Sequence, residues 1–299
     1  MKILVTGSTG LVGSALVPRL LSDGHQVYRM VRRASVSAAN EVFWNPSLGV
    51  LDPASLEGFD AVVHLAGESI AAGRWTPEIK QRIADSRLRG TKLLVDGLLC
   101  TTSPPKVLVS ASALGYYGDR GDELLREESS PGRGFLPDLC RRWEEAGRAA
   151  AAKSIRVVTP RIGLVLSRNG GALPRMLLPF RLGLGGRIGS GKQYMSWISL
   201  DDLTGAILRM IRDPALSGAV NAVSPQPVTN REFTRALARA LSRIALFPLP
   251  AFVAIMALGE MADALLLASA RVEPARLKAA GYRFLHPQLD EALGHILRA

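Results

Sequence analysis

The 299-residue chain predicts an α/β fold, a doubly wound parallel sheet joined to a smaller, mostly helical C-terminal part. Three observations carry this expectation. A glycine-punctuated turn joins the first strand to the first helix, apolar runs alternate with helical patterns to about residue 165, and the alternation decays beyond it. Residues 1–165 are therefore expected to form one domain and 166–299 a second that covers it. The boundary is soft, since a late strand and helix can return to the main sheet.

Lys2–Val5 is a short buried-strand run that opens into Thr6-Gly7-Ser8-Thr9-Gly10-Leu11-Val12-Gly13. Leu11, Val12, Ala15, Leu16 and Leu20 then recur at helical spacing up to Gly24, a fitting C-terminal cap, and Gln26–Val31 follows as the second strand. Glu41–Asn45 fits a further short strand, and Asp60–Leu65 is an almost continuous apolar run of the kind covered on both faces in parallel sheets. Thr76–Leu99 reads as a long helix with Ile79, Ile83, Leu88, Leu93, Leu94 and Leu98 on or near one face, closed by Pro104-Pro105 before strand Lys106–Ser110. Phe135–Ala152 is the next helix and Arg156–Ile162 the next strand.

The second part is less regular. Gly163–Gly191 is rich in Gly, Pro and Leu, and within it Gly183-Leu184-Gly185-Gly186 and Gly189-Ser190-Gly191 read as mobile loop. Ser199–Arg212 is a helix pattern opening at Asp201-Asp202, where Asp202 reads as a carboxylate favoured by the helix dipole. Asn221–Val223 fits a short strand, and Asn230–Ser242 a helix capped by Asn230. Leu249–Ala270 is interrupted by Glu260 and Asp263, so it reads as a buried or partner-facing helix pair and not a membrane span.

The opening turn predicts a dinucleotide site. Gly7 permits the tight turn, Gly10 lets backbone approach phosphate, Gly13 lets helix pack on sheet, and Thr9, Leu11 and Val12 complete the loop. The helix start offers unpaired N–H groups to the pyrophosphate. Strand, glycine turn, helix and strand within about thirty residues make the motif a fingerprint. The second strand ends in Val31-Arg32-Arg33 where NAD sites usually hold an acidic residue. Arg32 and Arg33, read as guanidiniums without a nearby carboxylate, suit the 2′-phosphate of NADP(H). Leu65-Ala66-Gly67 ends another strand with small residues that allow a close ligand. Ser110-Ala111-Ser112 and the loop bearing Tyr116, Tyr117 and Gly118 follow a further strand at the ligand crevice.

A formal net charge of +11 with 47% hydrophobic residues describes a globular, generally basic protein. The charges are scattered, favouring anionic ligands and giving no concentrated face for nucleic acid. Cys100 and Cys140 cannot build a disulfide framework and fit no zinc spacing, so free thiols in a reducing cytoplasm are expected. The N-terminal strand begins at once, so no signal peptide is expected. His25, His286 and His295 lack partners that suggest a metal or triad, and no metal is expected. The expected partner is a small-molecule substrate, with no nucleic acid and no membrane, for a monomer or homodimer.

These motifs resemble the extended short-chain dehydrogenase/reductase superfamily, which includes the nucleotide-sugar epimerases and dehydratases. The glycine turn, His64-Leu65-Ala66-Gly67, Gly90-Thr91, Ser110-Ala111-Ser112 and Ser196-Trp197-Ile198 before Asp201-Asp202 fall in order across nearly the whole chain. The chain is most similar to an epimerase-like subgroup with a distinctive C-terminal helical segment. Pro248-Leu249-Pro250, Gly259-Glu260-Met261, Val272-x-Pro274-x-Arg276-Leu277, Ala280-Gly281-Tyr282-x-Phe284, Trp143-Glu144 and Gly189-Ser190-Gly191-Lys192-Gln193 carry that resemblance. It implies a Rossmann domain binding NADP(H), a substrate domain over 166–299, and hydride transfer to or from a nucleotide sugar or another carbonyl compound. By the same resemblance His64 lines the site without donating protons.

The resemblance also implies an Asn, a Ser, and a Tyr and Lys one helical turn apart, the Tyr acting as general acid/base. In the Phe135 helix Leu136 and Cys140 occupy the Tyr and Lys positions, Arg87 replaces the Asn, and only Ser112 remains. Tyr116 or Tyr117 is a replacement phenol, or packs in the core or at the rim. Arg87 lowers the pKa of such a phenol, or binds cofactor phosphate or ribose, the reading preferred here. Cys140 is a reactive thiol facing the nicotinamide, or a small buried hydrophobe. Arg161, ending a central strand, is assigned to the cofactor, and Lys192, Gln193 and Trp197 to the substrate. Against an oxidoreductase or epimerase stands a protein that binds NADP as a sensing ligand and has lost catalysis.

Overall fold

The computed structural model of the protein describes residues 1–33, 39–71 and 73–298. The strands in its first half are β1 (Lys2–Thr6), β2 (Gln26–Val31), β3 (Glu41–Asn45), β4 (Val50–Leu51), β5 (Ala61–His64), β6 (Val107–Ser110), β7 (Ser112–Ala113) and β8 (Leu124–Leu125). Its second half adds β9 (Arg156–Ile162), β10 (Leu164–Leu166), β11 (Tyr194–Met195), β12 (Trp197–Ser199), β13 (Gly218–Ala222), β14 (Val228–Thr229) and β15 (Arg271–Val272). A nine-stranded sheet runs β13-β9-β6-β5-β1-β2-β3-β4, with β7 also beside β9. Its pairings are parallel except β3 with β4. The order reverses between β1 and β5, the crevice where open α/β sheets hold ligands.

Period-two alternation along β1 divides the core. Ile3 and Val5 face one layer, with Leu16 and Leu20 of α1 (Leu11–Ser22), while Leu4 faces the other, with Leu94 and Leu98 of α2 (Pro77–Cys100). Each such side chain, fully buried, contributes about 1.5–3 kcal/mol. α3 (Phe135–Arg148) packs beside α2, and its buried residues Leu136, Leu139, Cys140, Trp143, Glu144 and Gly147 form one helical stripe.

The Gly-, Pro- and Leu-rich segment 163–191 contains β10 and a helix that sequence reading did not mark, α4 (Leu173–Arg181). Pro174 stands in its first turn, where a missing N–H costs nothing, and Leu173, Leu177 and Phe180 bury at i, i+4 and i+7. α5 (Leu200–Arg212) starts at Ser199, whose side chain caps the Asp202 N–H, and packs on α1. β13 then joins β9, so the main sheet continues past residue 165. α6 (Asn230–Ala240) is capped by Thr229 and not by Asn230, because Thr229 and Glu232 form a reciprocal capping box. The Asn230 side chain instead accepts from the Ile188 N–H.

The remaining helices are α7 (Ala251–Leu258), α8 (Glu260–Ala262), α9 (Ala275–Ala279) and α10 (Leu289–Arg298). α6 and α10 form a second core with α4, whereas only Ala254 of α7 is buried. No helix among the described residues is long and apolar enough to cross a membrane.

Asp202, 1% exposed, joins the two parts. Its carboxylate accepts from the Leu285 N–H at 2.6 Å, the His286 N–H at 3.0 Å and the Ser199 hydroxyl at 2.8 Å. Asp202→Ala would strand these donors and is expected to lower stability by about 2–4 kcal/mol, read from urea unfolding. A loss below about 1 kcal/mol would show that the 285–286 connection holds without it.

Candidate functional site

The glycine turn follows β1 at the crevice. Gly7 has φ +67°, and a Cβ there would lie 2.8 Å from the Leu65 carbonyl carbon and 2.9 Å from the Ala66 nitrogen. A Cβ on Gly13 would stand 2.2 Å from the Gly7 oxygen. Both positions are therefore closed to any side chain, and the backbone folds into a shallow cradle at the start of α1. Thr9 and Gly10 are exposed on it, and Leu11 and Val12 are half-buried.

The neighbouring strand end is fixed by a hydrogen-bond chain that sequence reading did not resolve. The Thr6 hydroxyl accepts from the Leu65 and Ala66 N–H groups, each at 3.1 Å, leaving its own proton for His64 Nδ1 at 2.8 Å. The opposite ring nitrogen, His64 Nε2, then donates to Thr91 Oγ1 at 3.0 Å, and the Trp143 indole N–H donates to the same oxygen at 2.9 Å. Burial pushes the His64 pKa down to about 4, so the imidazole is neutral at physiological pH.

At the end of β2, Arg32 is exposed and Arg33 forms an ion pair with Glu41. The expectation of two arginines without a nearby carboxylate is corrected for Arg33. β2 and β3 run side by side, and Arg29 is in register with Glu41, a non-local pairing invisible in sequence.

Beyond β6, Ser110, Ala111 and Ser112 are all buried. The Ser112 hydroxyl donates to Glu144 Oε1 at 2.8 Å. Arg161 grips Glu144 with two bonds, Nε to Oε1 at 2.8 Å and Nη2 to Oε2 at 2.9 Å. Its Nη1 donates to the Tyr117 hydroxyl and the Glu127 carbonyl, and its guanidinium carbon lies 3.4 Å from the Tyr116 ring centroid. Burial works against the Arg161 charge, but the hydrogen bonds and charge of Glu144 outweigh it and raise the pKa. Arg161 is thus turned into the protein and engaged there, which corrects its assignment to the cofactor.

Tyr117 is likewise structural. It is fully buried, its hydroxyl lies 2.7 Å from Asn221 Oδ1, and burial pushes its pKa up to about 12. A phenol so held is a poor proton carrier, which corrects the catalytic expectation for it. Tyr116 is half-buried, with its ring on the Arg161 guanidinium of the ion pair.

Leu136 and Cys140 pack against Gly115, where an added Cβ would lie 3.1 Å from Leu136 Cβ and 3.6 Å from the Cys140 sulfur. Burial, and then the charge of Glu144, push the Cys140 thiol up to about 12, so it behaves as a small hydrophobe. The half-buried Arg87 lies over Trp143 and against Gly67, where a Cβ would be 3.4 Å from its guanidinium carbon. It donates to the Ile83 carbonyl at 3.1 Å and has no ion pair among the described residues.

The substrate residues expected in the second half do not converge on this cluster. Trp197 is fully buried in the second core and its indole N–H donates to the Gln226 carbonyl at 2.9 Å. Gln193, 7% exposed, donates to the Ile188 and Leu266 carbonyls. Both tie loops together, a role that corrects their assignment to the substrate, while Lys192 is exposed. Sequence reading gave Glu144 no role. Its place on the buried stripe of α3 was the available signal, because a carboxylate there needs a cation. His286 and His295, read as partnerless, stack on each other beside Asp201.

The pattern described as the NAD dependent epimerase/dehydratase family matches residues 3–223, and a domain of unknown function, DUF1731, matches residues 249–296. An epimerase family protein of Mycobacterium bovis is 45% identical over 98% of this chain and 96% of its own length. The crystal structure of human epimerase family protein SDR39U1 with NADPH superposes with a TM-score of 0.92 at 36% identity, covering 100% of this chain and 99% of that one. MoeE5 in complex with UDP-glucose and NAD shares the fold, with a TM-score of 0.78 at 18% identity over 100% of this chain and 98% of that one.

Two outcomes are expected of the cluster. The His64 pKa is about 4 in the folded protein against 6.5 ordinarily, so the unfolded chain binds the extra proton between those values. The His64 contribution is therefore complete above pH 6.5 and is lost as pH falls to about 4, amounting to about 3 kcal/mol. Urea midpoints at pH 7 and pH 4.5 should show this loss, and a His64→Asn variant should lack it; an equal loss in the variant would refute the assignment. Iodoacetamide at pH 8 is expected to label exposed Cys100 and spare Cys140 until urea unfolds the protein. Two thiols modified at equal rates in the native state would overturn the inert reading.

Proposed function

Because the chain belongs to the NAD dependent epimerase/dehydratase family, we propose that it binds NADPH at the glycine turn and is an oxidoreductase or epimerase of a small carbonyl compound or nucleotide sugar, working without the Tyr and Lys pair. The observation that carries the proposal is the cradle itself, closed to a Cβ at Gly7 and Gly13 while the first N–H groups of α1 stay available to an anion. The human relative's crystallisation with NADPH supports the cofactor choice. Thr9–Gly13 hold the pyrophosphate, Leu65–Gly67 flank it, and exposed Arg32 takes the 2′-phosphate that Arg33, occupied by Glu41, leaves to it. Arg87, Ser110 and Ala111 complete the cofactor side of the crevice.

When bound, the reduced cofactor would supply a hydride and its oxidised form, NADP⁺, would accept one in the reverse direction. The chain supplies orientation: since Ser112 gives its own proton to Glu144, which stays ionised against Arg161, the serine oxygen is left to accept a hydrogen bond from a substrate hydroxyl. Tyr116, half-buried with its ring on Arg161, is the remaining candidate phenol. A second reading, NADPH sensing without turnover, is favoured by Leu136 and Cys140 filling the Tyr and Lys positions with apolar groups.

NADPH titration is expected to show binding at least tenfold tighter than NADH, with Arg32→Ala erasing most of the difference and Gly13→Val abolishing both. Equal affinities in the wild type would sink the phosphate assignment. NADPH oxidation is then followed over a panel of carbonyl compounds and nucleotide sugars. Where turnover is found, Ser112→Ala should lower it by about 100-fold or more with NADPH affinity unchanged. Tight NADPH binding with no turnover across the panel would favour the sensor.

A further inference from the structure

We propose that Asp201, His286 and His295 form a binding site for a zinc-type divalent ion that staples the two cores of the protein together. The carboxylate oxygen Asp201 Oδ2 lies 3.3 Å from His295 Nε2 and 4.0 Å from His286 Nε2, and the three donor atoms all fall within 4.8 Å of one another. The imidazole rings stack at 4.5 Å between centroids. Zn²⁺ binds imidazole nitrogen and carboxylate oxygen at about 2.0–2.2 Å, which places tetrahedral donors roughly 3.4 Å apart. Small rotations of the exposed His295 and Asp201 side chains reach that spacing, leaving a fourth position for water.

The donors stand on backbone that is already fixed. Asp201 is in the first turn of α5, and its carbonyl accepts from Arg19 Nη1 at 2.8 Å. Buried Asp202 holds the Leu285 and His286 N–H groups, so the His286 loop is anchored to the same helix end. His295 rides on α10, whose Ala292, Leu293 and Ile296 are buried in the second core. α5 belongs to the sheet's core and α10 to the second, so one ion would tie both. Glu291 and Arg298, opposite in charge, line the hollow beside His295. Two imidazoles and one carboxylate favour Zn²⁺ and its neighbours over Ca²⁺ or Mg²⁺, which prefer all-oxygen sites.

Untagged protein is stripped with chelator, exchanged into metal-free buffer and titrated with ZnCl₂ by calorimetry. One site is expected, with Co²⁺ giving the visible absorption of a four-coordinate centre. At Zn²⁺ one hundred times its dissociation constant the unfolding equilibrium should shift about 100-fold toward the native state. Asp201→Asn, His286→Ala and His295→Ala should each weaken binding about tenfold or more, and Cys100→Ser should leave it unchanged. No heat and no Tm shift with a large excess of ZnCl₂, or binding unaffected by all three substitutions, would overturn the proposal and leave a hydrogen-bonded His and Asp cluster only.

Discussion

The ion pair between Arg161 and Glu144, with side chains 4% and 5% exposed, constrains everything around it. Removing each ion from water costs several kcal/mol, and mutual attraction offsets that only when the remaining donors and lone pairs are also filled. Here they are filled from four directions. Ser112 supplies a proton to Glu144, while Tyr117 and the Glu127 carbonyl accept from Arg161 and the Tyr116 ring covers its face. The pair therefore dictates that β7 lie beside β9, that α3 present its carboxylate inward, and that the tyrosine loop fold over the strand end. Losing either charge would strand the other in a site with no water to receive it.

The sheet was legible because its signals are local. Apolar runs mark β1, β5, β6 and β9, and the spacing of glycines marks the turn that any reader of period and chirality expects between a strand and a helix. α4 was hidden because prolines read as breakers, although one stands in the first turn where it is harmless and the other, Pro179, comes late. The Thr229 cap was missed because Asn230 is an equally good capping residue by type, and only the reciprocal Glu232 bond decides between them.

Arg33, Arg161, Trp197 and Gln193 failed for a different reason. Residue type announces what a side chain can bind, but not whether the fold has already provided a partner. Arg33 meets Glu41 through strand pairing, Arg161 meets Glu144 across a helix and a strand, and Trp197 meets a carbonyl inside the second core. In each case the partner is distant in sequence or on another element, so the buried pairing removes a residue from the list of free binding groups. For Arg32, Arg87 and Ser112 the fold provides no such ion pair among the described residues, so they remain candidates for the site.

The substitutions at Leu136 and Cys140 are coupled to their surroundings. Leu136 packs in an apolar cluster with Trp75, Ile83, Leu139 and Met261, the last from the C-terminal segment, so this position answers to that segment as much as to α2. Cys140 lies within electrostatic reach of both Arg87 and Glu144. A lysine at 140 would bring an ammonium toward the Arg87 guanidinium in a buried setting, where like charges repel strongly. Arg87 in α2 and an uncharged thiol at position 140 in α3 are thus two parts of one electrostatic arrangement. Ser112 and the Glu144 carboxylate behind it are the polar groups this arrangement keeps in place.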